Sequence, residues 1–181
     1  LTGVEAAVMT RSGTVGVAAP PSNPLVDAWV ATFASGVRSA GARVEVAEVS
    51  GSSSTAAVSD LAARKADVMQ AVQLGTTLLD STRDRPSFAA GADGCSDRPV
   101  VDSVVIHADQ AFDLVVRDVL AGRTGGVHSF GLAEDAITLA SLDGSDDCLI
   151  AQDPAALDAV RAARATIVDG SIEVPDPDFV R

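Results

Sequence analysis

Apolar residues come in short bursts separated by polar, glycine- or proline-bearing connections, and the bursts alternate between two periods. TVGVAA, residues 14–19, is a continuous apolar, partly β-branched run of the kind that fills a parallel strand buried on both faces. Residues 1–10 ahead of it read as the end of a helix, stopped at Ser12-Gly13. After it, PPSNP marks a helix start: Asn23 offers a side-chain cap, and Pro24 takes the first position, where its missing N–H is harmless. Leu25, Trp29, Phe33 and Val37 recur at four-residue spacing through that helix, and Gly41 closes it.

The unit then repeats. Residues 43–49 predict a strand, and a serine-rich loop leads to a helix carrying Val58, Leu61 and Ala62. Residues 66–72 predict a third strand, and a helix is expected around 74–81. Residues 87–93 and 100–106 predict two more strands. A helix with Phe112, Val115, Val116, Val119 and Leu120 on one face follows and ends at Gly122. Strands alternating with helices over short loops predict an α/β fold: a three-layer, Rossmann-like, mostly parallel sheet with helices on both faces. Residues 1–181 read as a single domain. Residues 13–106 form its main parallel-sheet lobe, and 107–181 supply a helix, connector strands and a last helix capped by Asp153-Pro154. Ligands of such sheets sit beyond the carboxyl ends of the strands. Here those ends fall at residues 18–23, 49–54, 72–77, 93–96 and 106–109.

Composition narrows the classes. With 47% hydrophobic and 21% charged residues the chain is globular. Five Phe, one Trp and no Tyr leave the core to Val, Ala, Leu and Ile. A net charge of −12 argues against nucleic acid and anionic membranes as partners, since both need a basic patch. No run approaches the ~20 apolar residues of a membrane helix. Leu1 opens the chain with neither Met nor a signal-peptide pattern, so it reads as a segment of something longer. Cys95 and Cys148 allow either one bridge or two buried thiols.

Catalytic and cofactor motifs are wanting. A phosphate-binding GxxxxGK[S/T] loop needs a lysine, and the one present, Lys65, lies far from any glycine loop. No GxGxxG follows TVGVAA. VHSFG (127–131) is one residue short of GxSxG, because Val127 stands where the first glycine belongs, and His128 beside Ser129 is not how a triad is built. Gly125-Gly126 read instead as a turn into a connector strand. His107, His128, Cys95 and Cys148 lack metal-ligand spacing. No enzyme, metal or cofactor is therefore expected. Asp93, at the carboxyl end of a predicted strand in GADGC, is either an acceptor for ligand hydroxyls or a loop cap.

LTGVEAAVMTRSGTVGVAA, LVDAWVATFASGVRSAG, ADVMQAV, FAAGADG, DSVVIHADQAFDLVVRDVLAGRTGGVHSFGL and ATIVDGSIEVP follow one another along the chain. In that order they resemble the basic membrane protein family of ABC-transporter solute-binding lipoproteins. A helix ending in Gly-Gly with H-x-[YF]-G-L, and a closing I-x-x-G-x-I-x-V-P, are recurrent there. The resemblance implies the type I periplasmic-binding fold, two α/β lobes closing on a ligand that is usually a purine nucleoside. It also implies an extracytoplasmic location, anchored or secreted, and a membrane permease as partner. Relative to that plan the first lobe is missing. By the same resemblance Asp93 matches the aspartate that binds ribose hydroxyls, and Gly75-Thr76 match part of a glycine-rich turn. Leu74 replaces a glycine, Gln70 stands where an aromatic is common, and Ile106 where a lysine is common. Losing the aromatic removes stacking worth roughly 0.5–1.5 kcal/mol, and losing the lysine a charged donor worth roughly 1.5–3 kcal/mol. The ligand contacts expected are Asp93, Gly75, Thr76, Gln70 and the loop of Asn23. Those substitutions also motivate an alternative, a ligand-blind or sensory domain used for protein contacts. Surfaces that pack on a first lobe would be bare, notably over 127–142, and a homodimer is expected to cover them.

Overall fold

The computed structural model describes residues 1–49, 55–72, 85–90, 95, 99–126 and 129–172. Helix α1 (Thr2–Met9) leads into strand β1 (Thr14–Ala19), followed by α2 (Pro24–Ser39), β2 (Arg43–Glu48), α3 (Thr55–Ala63) and β3 (Val68–Ala71). Then come β4 (Ser87–Ala90), β5 (Val100–Ile106), α4 (Ala108–Leu120), β6 (Ile137–Leu139), a 3₁₀ turn (Leu149–Gln152) and α5 (Pro154–Val168). The helix expected over 74–81 and the last residues of the strand expected over 87–93 lie outside the described residues.

The sheet runs β2-β1-β3-β4-β5-β6, with the first five strands parallel and β6 antiparallel to β5. This is the mostly parallel α/β sheet that the alternation of elements predicts. β1 is an interior strand, buried along its whole length. Its side chains divide by the period of a strand. Val15, Val17 and Ala19 join Phe33, Val37 and Val160 in one core, while Ala18 joins Leu61 and Met69 in another. Helices α1, α2 and α5 therefore cover one face and α3 the other. Phe33 is the hub of the first core, stacked on Trp29 at 5.3 Å between ring centres and edge-on to Phe88 at 6.4 Å.

The start of α2 is as expected, with Asn23 Oδ1 accepting from the N–H groups of Leu25 and Val26, both at 3.1 Å. Its buried stripe is not. Leu25 is exposed, and the covered positions are Val26, Phe33, Ala34 and Val37. A helix turns by about 100° per residue, so a strict four-residue spacing drifts about 40° per step and cannot stay on one face for three steps. At the other end Gly41 holds φ at +86°, the left-handed turn that ends the helix. Helices α1 and α2 cross at two glycines. A β-carbon on Gly3 would lie 2.3 Å from the carbonyl oxygen of Phe33, so no larger residue fits.

Asp67, just ahead of β3, ties down the turn between α1 and β1. Its carboxylate accepts from the N–H groups of Arg11 and Ser12, both at 2.8 Å, from the Ser12 hydroxyl at 3.0 Å, and from the Thr10 hydroxyl. Partial burial alone would raise its pKa, but these four donors overcome that and hold it below the usual carboxylate value. A depressed folded pKa gives stability that is present above the unfolded value and is lost as pH falls through the folded one. Asp67→Ala is expected to lower the unfolding free energy by about 1–2 kcal/mol at neutral pH. The deficit should vanish in strong acid, and denaturation by urea at both pH values would show it.

Cys95 and Cys148 form a disulfide with Cα atoms 4.9 Å apart, which decides between the two states the sequence leaves open. The bond joins the connection between β4 and β5 to the residue that opens the 3₁₀ turn. The region expected to be bare needs correction. Val127 and His128 lie outside the described residues, and Ala136, Leu139 and Ala140 are buried because β6 pairs with β5 and turns its side chains into the core. The exposed apolar surface sits on α4 instead. Gly125 and Gly126 have positive φ, as a turn requires, but residues 129–136 hold no strand, which begins only at Ile137.

Candidate functional site

A parallel sheet in this strand order reverses direction of winding between β1 and β3, and the crevice beyond those strand ends is where ligands sit. Two described residues stand there. Asn23 follows the end of β1, exposed, with its carbonyl oxygen committed to capping α2. Gln70 lies near the carboxyl end of β3, in register with Val17 of β1. The Gln70 amide nitrogen donates to the Ala71 carbonyl at 2.9 Å. Its Oε1 is buried and has no hydrogen-bond partner among the described residues. A buried orphan acceptor is costly in a folded protein unless something donates to it. Gly75, Thr76 and Asp93, the other expected ligand contacts, lie outside the described residues. The strand ends that precede them, at Ala71 and Ala90, belong to β3 and to its neighbour β4.

Two other concavities carry less chemistry. A groove of about 450 Å³ between α1, α2 and α5 is lined by Val4, Val8, Ala159, Ala163 and Ile167 among others, and of its hydroxyls Thr32 and Ser39 donate to carbonyls of their own helix. A polar cavity of about 510 Å³ lies at the root of α4, lined by His107, Asp135, Thr138, Asp143, Arg161 and Arg164. Its charges are spent on one another. Arg164 pairs with Asp135 and donates to the Leu132 carbonyl at 2.9 Å, and Arg161 pairs with Asp158 at 3.1 Å. His107 Nε2 comes within 3.3 Å of Asp143 Oδ2, near enough for an ion pair but not aligned as a hydrogen bond. Cys95, Asp102 and Cys148 bring possible metal-ligand atoms within 4.8 Å of one another, yet the sulfurs are bonded together and leave one carboxylate. Among the described residues no other such group occurs.

The sequence reading missed a buried acidic pair beside that disulfide. Asp102 of β5 accepts from the N–H of Ser103 at 2.7 Å, the N–H of Ser141 at 3.2 Å and the Ser141 hydroxyl. Glu5 of α1, 0% exposed, meets it from the other side. As a carboxylate Glu5 has no donor within reach; as a carboxylic acid it donates to Asp102. Burial first, and the charge and hydrogen bond of Asp102 second, push the Glu5 pKa well above its usual value. The signal was present in the sequence: each acid interrupts an otherwise apolar run, VEAAVM and VVDSVV. The pair joins α1 to β5 through the core and lies away from the strand ends, so it braces the fold.

Comparison with known proteins bears on the whole chain. Residues 1–176 match the family model described as Bmp, ABC transporter substrate-binding protein PnrA-like. No curated protein matches. Among solved structures, a transcriptional activator of the comK gene from Bacillus halodurans is similar with a TM-score of 0.71 at 18% identity. That match covers 96% of this chain and 62% of the other. A solute-binding protein of an ABC transporter system from Aeropyrum pernix K1 is similar with a TM-score of 0.57 at 12% identity, covering 98% of this chain and 64% of that one. The chain thus spans under two thirds of the length of these solved relatives. At such identities the likeness shows the fold, a periplasmic-binding-protein-like α/β sheet, and the family model shows the rest: the chain belongs to the Bmp family of PnrA-like ABC transporter substrate-binding proteins.

Proposed function

We propose that the chain is a solute-binding unit of an ABC-type uptake system, non-catalytic and extracytoplasmic. It holds a small polar ligand of the nucleoside class beyond the carboxyl ends of β1, β3 and β4 for delivery to a membrane permease. The family supplies the class of activity. The observation that carries the location is the buried Oε1 of Gln70, without a partner among the described residues, at the point where the winding of the sheet reverses. An amide or hydroxyl of a bound ligand would satisfy it. Asp93, Gly75, Thr76 and the Asn23 loop complete the proposed site, with Asp93 accepting from sugar hydroxyls. No helix among the described residues is long and apolar enough to cross a membrane.

Calorimetric titration with adenosine, guanosine, inosine and free ribose tests this. Heat is expected with at least one nucleoside, and Asp93→Ala is expected to weaken binding roughly 10- to 150-fold, the loss of a hydrogen bond to a charged acceptor. Silence with every nucleoside would end the nucleoside reading. Binding untouched by Asp93→Ala would move the site. A second reading, a ligand-blind domain that makes protein contacts, is favoured by the bare apolar face of α4. Self-association would accompany either reading.

A further inference from the structure

We propose that Gln70 sets the ligand specificity of the crevice, as a fixed hydrogen-bond acceptor that takes a base carrying an exocyclic amine and rejects the same base without it. The proposal rests on the nucleoside reading and narrows it to amine-bearing bases. A glutamine can offer a ligand either a donor or an acceptor, and how its amide is held decides which. Here one end is fixed. The group that Gln70 meets at 2.9 Å is the carbonyl oxygen of Ala71, which can only accept, so the amide nitrogen is the end that points there. Turning the amide over would set two oxygens against each other. Oε1 is therefore the end left for something else, and it is an acceptor only.

The strands beside it do not supply the donor. In register on β1 stands Val17, and on β4 Phe88 follows the Ser87 that pairs with Met69; neither side chain can donate. Oε1 is buried, so bulk water does not reach it, and no described residue donates to it. Glu5 and His107 also carry buried atoms without a hydrogen bond, but Glu5 lies in the core and His107 beyond β5, toward the edge of the sheet. Of the three, only Gln70 stands where the winding of the sheet reverses. An N–H at that point gains a bond. A ring C–H leaves the acceptor buried with nothing to accept, and a carbonyl sets two acceptors in contact. Sites built on a buried polar group discriminate steeply for this reason. The nucleoside reading gives the sugar hydroxyls to Asp93, after β4, so the donor left for Gln70 on β3 belongs to the base.

Calorimetry with two matched pairs of ligands tests the proposal: adenosine beside purine riboside, and guanosine beside inosine, the second of each pair lacking the amine of the first. The parent chain should hold the amine-bearing member of at least one pair roughly 5- to 150-fold more tightly. Gln70→Met keeps the length of the side chain and leaves only a weakly accepting sulfur. It should erase that preference by weakening the amine-bearing ligand alone, and the ratio within a pair cancels any general change of packing. Without ligand, the Gln70→Met chain should melt no lower than the parent. It gives up one hydrogen bond together with a buried acceptor that nothing satisfies, and the second is the larger cost. A glutamine kept only for structure would lower Tm when replaced and leave ligand preference alone. A preference that survives Gln70→Met, or none in either pair while nucleosides still bind, overturns the proposal and leaves the solute-binding reading standing. So does a Gln70→Met effect that falls on a sugar hydroxyl instead, read with adenosine beside deoxyadenosine. Silence with every nucleoside ends both.

Discussion

Replacing Cys95 and Cys148 together by alanine is expected to lower the unfolding free energy by about 4 kcal/mol, the chain-entropy value for a loop with a sequence separation of 53 residues. The cross-link restrains the unfolded chain, and a longer loop has more freedom to lose. For a domain of this size that shift corresponds to a fall in Tm of roughly 8–16 °C. Single domains are stable by about 5–15 kcal/mol, so the bond carries about a quarter or more of the total. Both cysteines are buried, with Cys148 among the core residues around Ile150 and Val160, so alanine fits without strain but leaves a small void. Urea denaturation of the double variant beside the parent, and of the parent with and without a reducing dithiol, gives the number. A loss under about 1 kcal/mol would contradict it. The bond also suits an oxidising location outside the cytoplasm, as the proposed function requires.

Asp102→Ala is expected to cost about 2–5 kcal/mol, because it leaves several buried polar groups unsatisfied at roughly 1–3 kcal/mol each. It strands the Ser141 hydroxyl, the N–H groups of Ser103 and Ser141, and the Glu5 carboxyl at one stroke. Glu5 adds a pH signature. Its folded pKa is raised above the ordinary 4.5, so its contribution is full below that value and is lost progressively as pH rises from there through the folded pKa. Glu5→Gln keeps a donor to Asp102 and removes the titration. Relative to the parent, that variant should gain stability steadily from acid to alkaline pH. Unfolding free energies of the two chains that run parallel across the range would show that Glu5 does not change its protonation in the core.

Both effects rest on contacts between segments far apart in the chain, and that is where sequence reading ran out. Local pattern identified β1 and β5 to the residue, because a run such as TVGVAA has nowhere to sit but a strand covered on both faces. Cap chemistry did the same for α2 and α5, where Asn23 and Asp153 accept from the N–H groups two and three residues on. Periodicity was weaker. It put Leu25 on the buried stripe of α2, when the true helical period assigns that place to Val26. For α4 it found the apolar face correctly and could not say that nothing in the described chain covers it. Of the candidate site, Asn23 lies in a loop the strand-end rule picks out, whereas Gln70, named only by the family resemblance, lies one residue before the end of β3, and that its Oε1 has no partner among the described residues needed the packed structure to appear.

By itself, then, the sequence determined the alternation of strands and helices, the starts and stops of α2 and α5, and the family to which the chain belongs. These are local matters, set by side-chain period, caps and short motifs. Only the tertiary structure decided the strand order, the bond between Cys95 and Cys148, the meeting of Glu5 with Asp102 in the core, and the exposure of α4. Each of those is a meeting of surfaces distant in sequence. A single chain without its fold records which residues are able to be buried, and only packing decides which of them are.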